Sequence, residues 1–110
     1  VAYVPERGDA VWLDFNPQTG HEQAGRRPDL VLSPSSYNRK VGLAIFCPIT
    51  SSVKGYPFKV VIPDGEKVSG VILSDQVRSL DWQKRNAAFI TQLSADIVND
   101  VMGKLKTLLP

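Results

Sequence analysis

The sequence predicts a mainly β domain, a compact antiparallel barrel or sandwich, closed by one C-terminal α-helix. Three observations lead there. Short runs rich in β-branched and aromatic residues recur between residues 9 and 93, each cut off by glycine or proline. The first of them, "DAVWLDF", alternates, with Val11, Leu13 and Phe15 on one face and Ala10 and Trp12 on the other. Only beyond Ser94 does the apolar spacing become that of a helix.

Taken in order, residues 9–15 form the first strand, with Trp12 expected in the core. "DLVLS" (29–33) and "LAIFCPI" (43–49) are β-rich runs stopped by Pro34 and Pro48, and Cys47 within the second reads as a small buried hydrophobe. "FKVVI" (58–62) lies between Pro57 and "PDG"; "GVILSDQVRSL" (70–80) follows as one run. Trp82 is expected in the core or at an interface, and "FITQL" (89–93) forms the last strand. Ser94 is a suitable N-cap and Asp96 a favourable first-turn charge. Ile97, Val98, Val101, Met102, Leu105, Leu108 and Leu109 then form one helical stripe. Burying each such side chain is worth about 1.5–3 kcal/mol, so the helix must dock on the sheet or on a partner.

Bulk properties narrow the function classes. A chain of 110 residues implies a single domain, residues 1–110. Its apolar runs are too short to span a bilayer and no export leader opens it, so a cytoplasmic location is expected. The lone cysteine precludes an internal disulfide. One histidine and one cysteine cannot supply a zinc set, and no carboxylate cluster has calcium-loop spacing. Phosphate-binding glycine loops, dinucleotide fingerprints and nucleophile elbows are also absent from the sequence, so neither metal nor cofactor is expected. A net charge of +2 does not by itself indicate nucleic acid.

Chemistry concentrates on two connections longer than a hairpin needs. Residues 16–28 hold Asn16, His21, Glu22, Gln23, Arg26 and Arg27; residues 50–57 hold Thr50, Ser51, Ser52, Lys54 and Tyr56. Singly, each has an ordinary reading: a solvated histidine, two surface cations, a tyrosine pinning a turn. Together, donors and cations beside an aromatic suit phosphate and unstacked bases.

The order of the motifs is more specific than any one of them. "RGDAVWLDFNPQTGHEQAGRRPDLVLS", then "CPITSSVKGYPF", then "GVILSDQVRSLDW" closely resemble the MazF family (PemK or Kid-like) of toxin–antitoxin ribonucleases, over nearly the whole chain. The resemblance implies an SH3-like antiparallel β-barrel with a C-terminal helix, acting as a homodimer. It implies metal-independent cleavage of single-stranded RNA to 2′,3′-cyclic phosphate and 5′-hydroxyl ends, and restraint by a MazE-like antitoxin with an acidic, disordered tail. The family's catalytic arginine and threonine fall on Arg27 and Thr50. Its loop acid matches Glu22 and its base-contacting glutamine Gln76; Phe15 and Asn16 border the same groove, with His21 and Lys54 along the RNA path. This chain departs from the family twice: Arg26 stands where some relatives have histidine, and His21 where many have serine. Two other readings stand beside the ribonuclease. One is a topoisomerase poison of the CcdB type, whose C-terminal tryptophan is lacking in "KTLLP"; the other is a non-catalytic SH3-like binding module.

Overall fold

The computed structural model describes residues 2–15 and 25–110. Its elements are β1 (Asp9–Phe15), β2 (Gly25–Val31), α1 (Ser35–Val41), β3 (Ala44–Thr50), β4 (Lys59–Val61), β5 (Val71–Leu73), β6 (Arg78–Leu80), β7 (Ala88–Gln92) and α2 (Ala95–Lys106). The strands join in the order β4-β5-β3-β2-β1-β7, with β6 also on β3, and all pairings are antiparallel. Among the described residues no ladder joins the edge strands β4 and β7, so the sheet stays open. The mainly β architecture with a closing helix is as the sequence predicts.

Register sorts the side chains onto two faces, because residues directly opposite in antiparallel strands point the same way. On one face Ala10, Leu30, Cys47, Ile49 and Ile72 are buried with Ile97, Val98 and Val101 of α2. The helix is capped as expected, the Ser94 hydroxyl accepting from the Ile97 N–H at 3.3 Å. On the other face Val11, Leu13, Val31, Ala44 and Phe46 are buried with Trp82. That face is apolar only at one end.

Five details differ from the sequence reading. Strand β2 starts at Gly25, so Arg26 and Arg27 stand on a strand, and the connection after β1 is residues 16–24. The run 70–80 is two strands, β5 and β6, on the same edge of β3. Between the pairs Ile49↔Ile72 and Phe46↔Arg78, β3 spends residues 47–48 while its neighbour spends 73–77, which leave the β3 ladder in a turn with the Gln76 N–H on the Leu73 carbonyl at 3.2 Å. A short helix, α1, follows Pro34 and ends at Gly42, whose φ of +82° is the left-handed conformation a glycine takes without strain. Lastly, Trp12 is 40% exposed: it shares Ala10's face but lies outside the cluster under α2. Leu108 and Leu109 likewise fall past the end of α2 and are exposed.

Candidate functional site

Strand register assembles the site. The β2–β3 ladder pairs Asp29 with Pro48 and Leu30 with Cys47. Extending it two residues sets Arg27 across from Thr50, on the face that carries Val31 and Phe46 further in. The strands that bury the core at one end therefore present a cation and a hydroxyl at the other. Both side chains are half-buried. They line an open groove of about 640 Å³ with Arg26, Pro28, Ser51, Ser52, Ser69 and Gly70.

Gly70 is what lets the groove's floor close. It has φ +119°, and a Cβ there would lie 2.1 Å from the Thr50 carbonyl oxygen. Only glycine allows β5 to approach the end of β3 so closely, and Val71 then pairs with Thr50.

Cations gather beside Phe15, the last residue of β1. The guanidinium carbon of Arg78 lies 4.7 Å from its ring centroid and that of Arg85 5.0 Å. Arg78 also donates from Nη2 to the Asp29 carboxylate, at 3.2 Å and 3.5 Å to its two oxygens. Asp29 is fully buried. Burial pushes its carboxyl up to about 7, against the opposing pull of Arg78, Arg27 and Arg85.

A separate network fixes the mouth of the 16–24 connection. Asp14 accepts from Arg26 Nη1 at 2.5 Å and from Asn86 Nδ2 at 2.7 Å, while Arg26 Nη2 donates to the Asn86 carbonyl at 2.9 Å. These bonds, the Asn86 amide first and Arg26 next, hold the Asp14 carboxyl below the usual carboxylate range. Arg26 is thus engaged in structure.

Among the residues picked out from the sequence, Arg27 and Thr50 meet in one groove, and Phe15 borders the arginine cluster. Lys54 and Gln76 do not line that groove. Both are exposed. Gln76 instead lies where the 51–58 connection meets the turn before β6: the Tyr56 hydroxyl donates to Asp75 and hydrogen-bonds the Gln76 side chain. The bond to Asp75 is the main reason the Tyr56 hydroxyl is held above its ordinary pKa. Asn16, His21 and Glu22 lie outside the described residues. Sequence reasoning missed Asp29, Gly70, Arg78 and Arg85. One signal was present, an aspartate at the head of an otherwise apolar strand run.

The model of the family described as "PemK-like, MazF-like toxin of type II toxin-antitoxin system" matches residues 6–109. The endoribonuclease toxin MazF of Escherichia coli K12 is 43% identical over 107 residues, covering 97% of this chain and 96% of that one. The endoribonuclease PemK of Escherichia coli is 33% identical over 108 residues, covering 94% and 81%. Among solved structures, the MazE–MazF complex (Form-II) from Deinococcus radiodurans includes a chain 55% identical to this one, with a TM-score of 0.93 over 98% of this chain and 97% of that one.

Proposed function

The chain belongs to the PemK-like, MazF-like toxins of type II toxin–antitoxin systems, and from that membership and its groove we infer that it is an endoribonuclease toxin cleaving single-stranded RNA. The observation that carries the site assignment is the meeting of Arg27 and Thr50 on facing strand ends in one groove.

The chemistry needs little more than charge stabilisation. The 2′-hydroxyl gives up its proton as its oxygen attacks the adjacent phosphorus, and the bond to the 5′-oxygen breaks with that oxygen taking up a proton, leaving a 2′,3′-cyclic phosphate and a 5′-hydroxyl. Negative charge builds on the non-bridging oxygens and on the leaving oxygen. Arg27 offers a planar fork of N–H donors matched to two phosphate oxygens, and the Thr50 hydroxyl donates to the same group. A guanidinium with a pKa above about 12 is a poor base, so Arg27 acts electrostatically. Phe15 gives an unstacked base a ring to lie against, and Asn16, His21, Glu22, Lys54 and Gln76 extend the RNA contacts. The reaction needs no metal.

A nuclease acting on the cell's own RNA has to be restrained. The relative from Deinococcus radiodurans is captured with MazE. By the same logic this chain acts in the cytoplasm as a homodimer and is neutralised by a MazE-like antitoxin. An acidic disordered tail from that antitoxin meets Arg26, Arg27, Lys54 and Lys59 and competes with RNA.

A fluorogenic single-stranded RNA assay in EDTA tests the reading, with a gyrase supercoiling assay alongside. Cleavage to cyclic-phosphate ends with no effect on gyrase is expected. Arg27→Ala should lower the rate by about 10²–10³ while fold and dimer survive, and Thr50→Ala should do the same to a smaller degree. An Arg27→Ala protein cutting at the parental rate would sink the site assignment, and absence of RNA cleavage by the wild type would sink the function.

A further inference from the structure

A face that attracts phosphate carries a buried acid in its midst. Asp29 lies two residues along β2 from Arg27, and strand alternation sends both side chains to the same face. Its carboxylate is wholly enclosed, yet its partner Arg78 is not: the Arg78 side chain is 42% exposed. The same guanidinium lies over Phe15, as does that of Arg85. Arg78 thus bridges a buried carboxylate on one side and the open RNA face on the other.

We propose that Asp29 is a built-in competitor for the RNA backbone: its carboxylate holds guanidinium charge that a phosphate would use, and RNA binding takes up a proton at Asp29. This rests on the ribonuclease reading above and adds a regulatory term to it. A phosphate seated among Arg27, Arg78 and Arg85 places a second anion beside the buried one. Each arginine it engages then pulls less on Asp29, and the direct repulsion favours the neutral acid. The free protein is already poised for the change, because burial has brought the Asp29 carboxyl up to about 7.

Among the described residues, three charged groups act on Asp29. From β2 comes Arg27, from β6 Arg78, and from the connection before β7 Arg85; all three favour the ionised form. From β3 comes the Cys47 thiol, which burial first and Asp29 next push up to about 12, so it stays neutral. Asp75, in the turn before β6, acts on that same thiol. From β1 the residue directly opposite is Val11, and from β3 it is Pro48; neither titrates. An imidazole ordinarily changes charge near neutrality, so His21, outside the described residues, must be controlled for.

The test measures binding of a fully 2′-O-methylated RNA oligonucleotide, which cannot be cleaved, by fluorescence anisotropy from pH 5.5 to 8.5. For the wild type the Kd should rise by up to about tenfold between pH 6 and pH 8, the slope approaching tenfold per unit only above pH 7, where one whole proton is taken up. Asp29→Asn should bind at pH 8 as tightly as the wild type does at pH 6, with a flat profile, while His21→Gln should keep the slope. The Asp29 carboxyl carbon, followed by NMR, should titrate at higher pH once RNA is added. If Asp29→Asn binds more weakly than wild type at every pH, the carboxylate merely supports Arg78 and the proposal is overturned. A wild-type profile that is flat, or one whose slope vanishes with His21→Gln, overturns it equally and leaves the ribonuclease reading standing. Failure of the wild type to bind RNA at any pH overturns both.

Discussion

Replacing Gly70 with alanine tests how tightly the groove depends on backbone approach. The new Cβ would lie 2.1 Å from the Thr50 carbonyl oxygen and 3.0 Å from its carbonyl carbon. A tolerable carbon–oxygen contact is about 3.3 Å, so the ends of β3 and β5 must separate by roughly 1 Å. The methyl group cannot escape by a side-chain rotation, because the obstacle is the Thr50–Ser51 backbone. Alanine must also hold φ near +119°, a conformation costing of order 1–3 kcal/mol without glycine. Loosening the terminal pair Thr50↔Val71 adds to this, and we expect a loss of about 2–4 kcal/mol, which lowers Tm by roughly 10 °C or more. Thr50 moves with its carbonyl. A displacement of that size at the catalytic group proposed for Thr50 costs up to about 10² in rate, so RNA cleavage should fall far more than the folded fraction does. Calorimetry and single-turnover cleavage, at a temperature where the variant is folded, measure both. A Gly70→Ala protein with parental Tm and parental rate would refute the reasoning that ties Thr50's position to this glycine.

Gly103 supplies the opposite case: it lies inside α2 with nothing within 4 Å of where an added methyl group would sit, so Gly103→Ala should stabilise by about 0.5–1 kcal/mol in urea titrations and leave cleavage unchanged. Asn38 is buried, with Nδ2 donating to the Pro5 and Ser33 carbonyls at 2.8 and 3.0 Å; Asn38→Ala strands these acceptors and should cost roughly 3 kcal/mol by the same titration. Asp29 makes stability depend on pH. Its carboxyl rises from an ordinary 3.8 to about 7 on folding, so its favourable contribution is complete below about pH 4 and is lost as pH rises through about 7. Stability from this group should therefore decline between pH 5 and pH 8, by at most about 3 kcal/mol, and Asp29→Asn should flatten that part of the curve measured by urea titration.

Much of this was legible in the sequence, and the reasons differ by element. Strand β1 alternates and helix α2 carries an N-cap followed by helical spacing, so local pattern and tertiary burial agree for both. Arg27 and Thr50, which line one groove, were singled out through an ordered set of motifs, since neither residue announces a role alone. The split between β5 and β6 was hidden because Leu73 and Val77 keep the apolar pattern going on either side of the turn; only register shows that β3 skips residues 73–77. Helix α1 was missed although Pro34 and Gly42 bracket it, because seven mostly polar residues show no amphipathic period. Trp12 is exposed because position along a strand decides whether α2 reaches it, and alternation carries no information on that. The Asp29–Arg78 pair joins residues 49 positions apart, which no local spacing encodes.

The two ends of the sheet face place opposite demands on the same strands. At the inner end, Val31 and Phe46 sit beneath Trp82 and gain stability from exclusion of water. Two residues further out on β2 the side chain is Asp29, as fully excluded from water as Val31 yet ionisable, and two more bring Arg27 into the groove. Guanidiniums gathered on one face repel one another, and an anion among them reduces that repulsion while RNA is absent. Yet enclosure penalises the ionised acid enough that its charge is only partly present at neutral pH. The strand thus passes from core to site through a residue whose charge is set by both: the core's dryness favours the proton, and the site's arginines oppose it. When RNA phosphate takes over the arginines, that opposition weakens and the core's preference prevails. A neutral asparagine would relieve the folding penalty and the competition together, which is why stability and RNA affinity are expected to rise in the same variant.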